Sequence, residues 1–192
     1  IIEDGTRNNP LDIYNFTSRF RYLRGNVIFL VRDPRDVIVS HFYQVTKRAK
    51  DPFVFNSISE FIRDDILGFK RIIHFYNLWN KNKEIPRSFL LVSYEDLLNN
   101  GIQELEKITN FLSINVSQDV IRRVYDASSA SKMRKQEINN QLEGFNDFGK
   151  NRDQLKVRNA KIGGYISELS EEDINYCNIE MKKLHACFKY KV

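Results

Sequence analysis

The chain has 192 residues, 42% of them hydrophobic and 12% aromatic, so it can bury a core as a single domain spanning 1–192 and is not a disordered tail. Its 30 lysines and arginines are interspersed with 25 acidic residues, and the net charge of +5 suits an anionic ligand but includes no block of like charge typical of a nucleic-acid-binding arm. Two cysteines near the C-terminus fit neither a disulfide framework nor a metal site, and no segment resembles a membrane span or a signal peptide, so we expect a cytoplasmic protein without a nucleic-acid partner.

The first 25 residues favour an irregular segment with one short helix over 12–22. The chain begins with Ile1 and Ile2 rather than with methionine, and these residues are typical of a strand. We therefore expect a domain that is incomplete at its N-terminus and forms a piece of a longer protein.

A strand followed at once by a helix is predicted next. The apolar run Val27–Val31 is typical of a strand covered on both faces, as in a parallel sheet. Asp33 suits the N-cap and Pro34 suits the first helical position, so the helix is predicted over 34–47.

This strand–helix junction offers a receptor for an anion. Arg32 lies at the carboxyl end of the strand, the edge at which open α/β sheets bind ligands, and Ser40 follows about two helical turns later. A guanidinium and a hydroxyl held close together can bind one phosphate. The alternative is that Arg32 pairs with a capping aspartate and that Ser40 is packed.

Beyond this junction, helices alternate with one more apolar strand. Ser57 and Glu60 form a capping box, which predicts one long helix to about Lys81 with an apolar stripe facing the core. The remaining predictions are a strand over Phe89–Val92, helices over 102–112, over 118–127 and after Ser170, and polar loops over 48–57 and 134–165. Strands that alternate with helices predict a three-layer α/β/α sandwich around a central parallel sheet.

Three further segments contain candidate ligand contacts. Tyr94 follows the second strand at the same sheet edge as Arg32, where its ring can meet a purine, although it could equally be a half-buried rim residue. Ser129 and Met133 lie close together in the chain, and the methionine could also be a flexible apolar filler. Arg158 lies in a basic, glycine-containing loop, for which the alternative is a solvated surface.

Together these segments resemble the sulfotransferases that use 3'-phosphoadenosine 5'-phosphosulfate (PAPS). The matching segments, in family order, are RDPRDVIVS at 32–40, LLVSYEDL at 90–97, SSASKM at 128–133 and KVRNAKIGGY at 156–165. The resemblance implies a P-loop NTPase-like sulfotransferase fold. It implies that the 3'-phosphate is bound by Arg32, Ser40, Arg158, Asn159 and Ala160, and the adenine by Tyr94, Ser129 and Met133.

Three positions depart from the family's pattern. Ala130 stands where the family often has phenylalanine, and Asn159 and Ala160 replace a lysine and a glycine. These changes remove a ring contact, a cation and a residue that lets the backbone approach a ligand closely.

The resemblance further implies transfer of the sulfuryl group of PAPS to a hydroxyl or amine of a small-molecule or glycan acceptor, giving 3',5'-ADP. The family's 5'-phosphosulfate loop, similar to Pro-Lys-Ser-Gly-Thr-Thr-Trp, has no counterpart in this sequence, so we expect that loop upstream of Ile1 and expect the chain alone to be inactive. The family's catalytic histidine has no clear counterpart either. Glu3 is the candidate base, since a carboxylate can act as one when burial raises its pKa; Asp4 is the alternative, and both could be simple turn residues.

Two other functions are compatible with the same residues. A non-catalytic relative would bind 3',5'-ADP or PAPS without transferring sulfate. A nucleotide kinase of the same fold would bind ATP and need Mg²⁺, although neither Walker residues nor an evident Mg²⁺ ligand set occurs in the sequence.

Overall fold

The computed structural model of the protein describes residues 19–49, 51–139, 153, 155–158 and 160–190. In this part of the chain two strands pair in parallel, β1 (Asn26–Val31) and β2 (Ser88–Ser93). The helices are α1 (Pro34–Tyr43), α2 (Ile58–Arg63), α3 (Phe69–Lys81), α4 (Tyr94–Asn99), α5 (Gly101–Phe111), α6 (Gln118–Ala127), α7 (Ala130–Ile138) and α8 (Glu171–Met181). The parallel pair surrounded by helices agrees with the predicted α/β class.

The register of the two strands brings the two predicted ligand-binding ends together. Val31 is paired with Ser93, the last residue of each strand. Because the strands are parallel, the residues that follow them, Arg32 and Tyr94, emerge side by side at the same edge of the sheet.

Helix α1 begins as its sequence predicts. The Asp33 side chain accepts a hydrogen bond from the Arg35 backbone N–H at 2.9 Å, and Pro34 occupies the first helical position. After Tyr43 the helix continues as a wider π turn over Gln44–Arg48, so helical backbone extends about as far as predicted.

The core is centred on one aromatic residue of β1. Phe29 is almost fully buried, and its ring lies 5.6–5.7 Å from the rings of Phe75, Tyr76 and Trp79 on α3. Helices α1 and α8 pack against α3 in turn. The strand that leads to Arg32 therefore packs against a layer of aromatic side chains from α3.

The prediction of one long helix over 57–81 is wrong, because the chain breaks between α2 and α3. Ser57 caps α2 as predicted, but the helix ends at Arg63, and Asp64 takes up extended backbone. The Asp64 carboxylate then accepts the N–H groups of Ile66 and Leu67, at 2.9 and 2.6 Å. The predicted apolar stripe is nonetheless buried on both halves.

Two other elements differ from the predictions. Helix α4, which was not anticipated, begins directly after β2 because the Ser93 hydroxyl accepts the Asp96 N–H. Residues 134–138, predicted to be loop, form the second half of α7. Among the described residues both cysteines are free thiols, and no helix there is long and apolar enough to cross a membrane.

Candidate functional site

The backbone of Arg32 is fixed by a buried tyrosine. The Tyr76 hydroxyl accepts a hydrogen bond from the Arg32 backbone N–H at 3.0 Å and donates one to the Arg32 carbonyl oxygen at 2.9 Å. Burial raises the pKa of Tyr76, so the phenol stays neutral and can serve both as acceptor and as donor. Nothing in the local sequence pattern pointed to this role, because Tyr76 reaches Arg32 from 44 residues along the chain.

The guanidinium of Arg32 has several contacts and, within the described residues, a buried Nε donor without a partner. Its Nη2 donates to the Lys161 carbonyl oxygen at 2.8 Å and lies 3.2 Å from an Asp36 carboxylate oxygen. Its Cζ lies 4.5 Å from the centroid of the Tyr94 ring, so the two side chains predicted at this edge are in contact. The Nε is buried and, within the described part of the chain, has no hydrogen-bond partner.

Asp36 connects this edge to the loop at 160–165. Its side chain is 1% exposed. Its two oxygens accept the backbone N–H groups of Gly163 and Tyr165, each at 2.9 Å, in addition to the ion pair with Arg32. Sequence reasoning does not identify this role of Asp36, because Gly163 and Tyr165 lie 127 and 129 residues further along the chain.

The backbone of the same loop has two residues in the left-handed region. Gly163 has φ 72°, which suits a glycine, and Ala160 has φ 50°, which is strained for a residue with a Cβ. Ala160 stands where the sulfotransferases that this chain resembles have glycine, and glycine would adopt this backbone conformation without strain. Asn159 lies outside the described residues.

Ser40 and Arg158 are both associated with α1, but they are not shown in contact. Ser40 is exposed on the helix, one turn after Asp36 and one turn before Tyr43. The Arg158 guanidinium lies over the Tyr43 ring, with its Cζ 3.9 Å from the centroid, and its Nη1 is 2.6 Å from a Glu168 oxygen. The Tyr43 hydroxyl donates to the other Glu168 oxygen at 3.1 Å.

Helix α7 is fastened to the segment that contains Arg158. Arg134 donates to the carbonyl oxygens of Val157 and Arg158 at 2.9 and 2.8 Å. The buried Glu137 carboxylate accepts the N–H groups of Lys156 and Val157 at 2.6 and 3.1 Å. These contacts, which sequence reasoning missed, join the helix that contains Met133 to the segment that contains Arg158.

Ser129 and Met133 lie at the start of that helix. Ser129 is the N-cap residue of α7, and its carbonyl oxygen accepts the Met133 N–H at 2.9 Å. Both residues are half-buried. The candidate base Glu3 and its alternative Asp4 lie outside the described residues. Burial lowers the pKa of His41 to about 4, and its ring packs on Phe61, which agrees with a structural role for this histidine.

Among the described residues, no cluster of three or more histidine, cysteine or acidic side chains is arranged to hold a metal ion. The candidate residues instead comprise two arginines, hydroxyl groups, one aromatic face and backbone amides. Such an assembly can bind a phosphate and a planar base at the carboxyl edge of a parallel sheet.

Comparisons with protein families and with curated proteins both identify sulfotransferases. The family model described as the sulfotransferase domain matches residues 9–186. Human (Homo sapiens) sulfotransferase 2A1 is 30% identical over 136 residues, which cover 69% of this chain and 47% of that protein. The Macaca fascicularis sulfotransferase 2A1 is 29% identical over 143 residues, which cover 72% of this chain and 50% of that protein. The chain thus spans about half the length of the curated relatives it matches.

Solved structures agree with this comparison. Mouse sulfotransferase SULT7A1 complexed with PAP matches with a TM-score of 0.62 at 18% identity, over 82% of this chain and 57% of that chain. Retinol dehydratase in complex with androsterone and the inactive cofactor PAP matches with a TM-score of 0.62 at 20% identity, over 82% of this chain and 46% of that chain. At this identity the likeness shows the fold, and it confirms the predicted α/β architecture with a parallel sheet.

Proposed function

The chain belongs to the sulfotransferase domain family, and on that premise we propose that the protein binds PAPS and transfers its sulfuryl group to an acceptor. The acceptor supplies a hydroxyl or an amine and is a small molecule or a glycan. The other product is 3',5'-ADP, which keeps the 3'-phosphate that distinguishes this nucleotide from 5'-AMP.

The main support for a 3'-phosphate site is the unsatisfied donor on Arg32. Its buried Nε has no hydrogen-bond partner in the described residues, and a buried donor left without one costs about 1–3 kcal/mol. A phosphate oxygen that displaced the atoms covering Nε would satisfy this donor, and Nη2 already contacts the Lys161 carbonyl oxygen and Asp36. The residues at this edge therefore fit the group that the family uses.

Two further contributions to the 3'-phosphate site come from α1 and from the loop at 156–165. The exposed Ser40 hydroxyl is available for a hydrogen bond, and Arg158 supplies a second guanidinium from the segment beside the same helix. Asn159 and Ala160 would offer backbone N–H groups. The left-handed backbone at Ala160 supports this, because consecutive N–H groups around such a residue can converge on an anion.

The adenine would be held by Tyr94, Ser129 and Met133. Tyr94 supports this because it is half-buried and stands at the sheet edge beside Arg32, and Met133 offers a half-buried, adaptable apolar surface. With Ala130 in place of the family's phenylalanine, we expect less ring contact with the base than in relatives that have the aromatic residue.

When bound, PAPS supplies the sulfuryl group and the 3',5'-ADP leaving group for an in-line displacement. Within this chain, the two arginines and Ser40 would fix the 3'-phosphate, and the adenine contacts would orient the nucleotide. Glu3 is our proposed base for the acceptor's proton, with Asp4 as the alternative. A carboxylate performs this role best when its pKa is raised by burial.

Calorimetry with the natural full-length protein tests the proposal. We expect 3',5'-ADP to bind at least tenfold more tightly than 5'-AMP, because charge-assisted hydrogen bonds to the 3'-phosphate contribute about 1.5–3 kcal/mol each. Equal affinities for the two nucleotides would overturn it. A sulfate-transfer assay with labelled PAPS follows: binding without transfer would favour the non-catalytic relative, whereas Mg²⁺-dependent phosphoryl transfer from ATP would favour the kinase.

A further inference from the structure

The two arginines proposed for the 3'-phosphate differ in how their charge is balanced. Arg32 pairs with Asp36, whose carboxylate also accepts two backbone N–H groups, and the ion-pair distance is 3.2 Å. Arg158 pairs with Glu168 at 2.6 Å. Each carboxylate also has another partner, the loop amides for Asp36 and the Tyr43 hydroxyl for Glu168, and the contact of Glu168 with Arg158 is the shorter of the two ion pairs.

The pair of Arg158 and Glu168 is largely shielded from water. The two side chains are 12% and 19% exposed. The Arg158 guanidinium stacks on the Tyr43 ring, and the Tyr43 hydroxyl donates a hydrogen bond to the second Glu168 oxygen at 3.1 Å. Glu168 is thus clamped between a tyrosine of α1 and the arginine of the loop.

A phosphate that approaches Arg158 would meet the Glu168 carboxylate on the same guanidinium. Two anions that share one cation repel each other, and the repulsion is weakly screened where little water is present. Glu168 must then either give up part of its contact with Arg158 or reduce what the phosphate gains from this arginine.

We infer that Glu168 is an internal competitor for Arg158 that lowers the affinity of this site for the 3'-phosphate. The inference rests on the proposed function. Glu168 is an affinity-determining residue: it holds Arg158 in place when the nucleotide has left, and it speeds release of 3',5'-ADP by reclaiming the guanidinium. Release of product limits turnover in many enzymes, so such a competitor would favour turnover over tight binding.

The test is Glu168→Gln in the full-length protein. Glutamine keeps the length of the side chain and one acceptor oxygen but removes the negative charge. We expect 3',5'-ADP to bind about three- to tenfold more tightly to the variant, with a matching decrease in its dissociation rate. Binding of 5'-AMP, which lacks the 3'-phosphate, should change by less than twofold. Glu84→Gln, at an exposed turn, is the control for the change in net charge.

Tyr43→Phe is a second route to the same result that leaves the charge unchanged. It retains the ring under Arg158 and removes the hydroxyl that holds Glu168, so 3',5'-ADP should bind about twofold more tightly, and 5'-AMP should not. Thermal unfolding of each variant checks that it is folded.

The outcomes separate the two proposals. If wild-type protein prefers 3',5'-ADP over 5'-AMP but Glu168→Gln weakens that preference or leaves it unchanged, Glu168 merely positions Arg158 and the competitor is disproved. If Glu168→Gln is unfolded, the same judgement rests on Tyr43→Phe. If wild-type protein does not distinguish the nucleotides, the 3'-phosphate site and this inference both fail.

Discussion

Among single residues, Arg32 is restrained at its backbone and at its guanidinium by several neighbours. Tyr76 fixes its backbone, Asp36 and the Lys161 carbonyl oxygen fix one end of its guanidinium, and the Tyr94 ring lies under it. A side chain restrained in this way loses little further conformational freedom when an anion binds, so more of the binding energy is retained.

Asp36 should be needed to keep the phosphate loop in place. In Asp36→Asn the side-chain amide presents a donor to one of the two backbone N–H groups that the carboxylate accepts, so one of these hydrogen bonds is lost. We expect a loss of about 1–3 kcal/mol in the free energy of unfolding and faster hydrogen exchange at the amides of Gly163 and Tyr165. Denaturant unfolding and exchange monitored by NMR measure the two effects.

Asp119→Asn is the matched control for this variant. Asp119 pairs with Arg123 on the exposed face of α6, so its change should cost less than about 0.5 kcal/mol. If Asp36→Asn unfolds at the same denaturant concentration as Asp119→Asn, and its loop amides exchange at the wild-type rate, then Asp36 does not anchor the loop.

Among the helices and strands, the sequence predicted best those features that depend on residues close together in the chain, such as apolar strands and helix caps. The apolar run of β1, the Asp33 cap, the Ser57 cap and the helix start after Ser170 each depend on residues a few positions apart, and they appear where expected. The break between α2 and α3 was missed because helical periodicity continues across it, and an aspartate on a helix surface is unremarkable until its carboxylate is seen to cap a turn.

Gly68→Ala distinguishes the broken helix from the continuous one by the sign of its effect. In the structure, a Cβ at Gly68 would lie 2.2 Å from the Asp64 carbonyl oxygen, so the backbone would have to shift. We expect the free energy of unfolding to fall by about 1–3 kcal/mol, as for other overpacked sites. In a continuous helix the same change would raise it by about 1 kcal/mol.

Gly25→Ala is the control for the glycine substitution, because a Cβ there meets its nearest neighbour, the Tyr22 carbonyl oxygen, at an ordinary 3.5 Å. The free energy of unfolding of Gly25→Ala should differ from that of the wild type by less than about 1 kcal/mol. A Gly68→Ala protein more stable than wild type in denaturant unfolding would refute the break between the two helices.

At the scale of the whole molecule, the candidate site is assembled from segments distant in the chain. Arg32 and Tyr94 could be placed together in advance, because both follow parallel strands whose carboxyl ends share one edge. Asp36 contacts Gly163 and Tyr165, which lie 127 and 129 residues away in the sequence. Arg134 and Glu137 contact the segment at 156–158, at sequence separations of 19 to 24 residues. Contacts of this kind follow from packing of the complete chain and leave no local pattern.

The resemblance to sulfotransferases supplied the order of the motifs, and the structure adds how they are joined. Helix α7 holds the 156–158 segment, that segment continues into the loop anchored by Asp36, and Asp36 stands one turn after Arg32. The segments that contain the proposed adenine and phosphate contacts are therefore linked by hydrogen bonds and an ion pair. We expect displacement of one segment to shift the positions of the others.

Arg32 and Arg158 are proposed to bind the same 3'-phosphate, and a double-mutant cycle in 3',5'-ADP binding measures whether they do. We predict that Arg32→Lys and Arg158→Lys each weaken binding of 3',5'-ADP in calorimetry, because lysine lacks the planar fork of donors. We predict further that the double variant departs from additivity by about 0.5 kcal/mol or more, as residues sharing one ligand group do. Strictly additive losses, or a loss from one arginine alone, would contradict the claim.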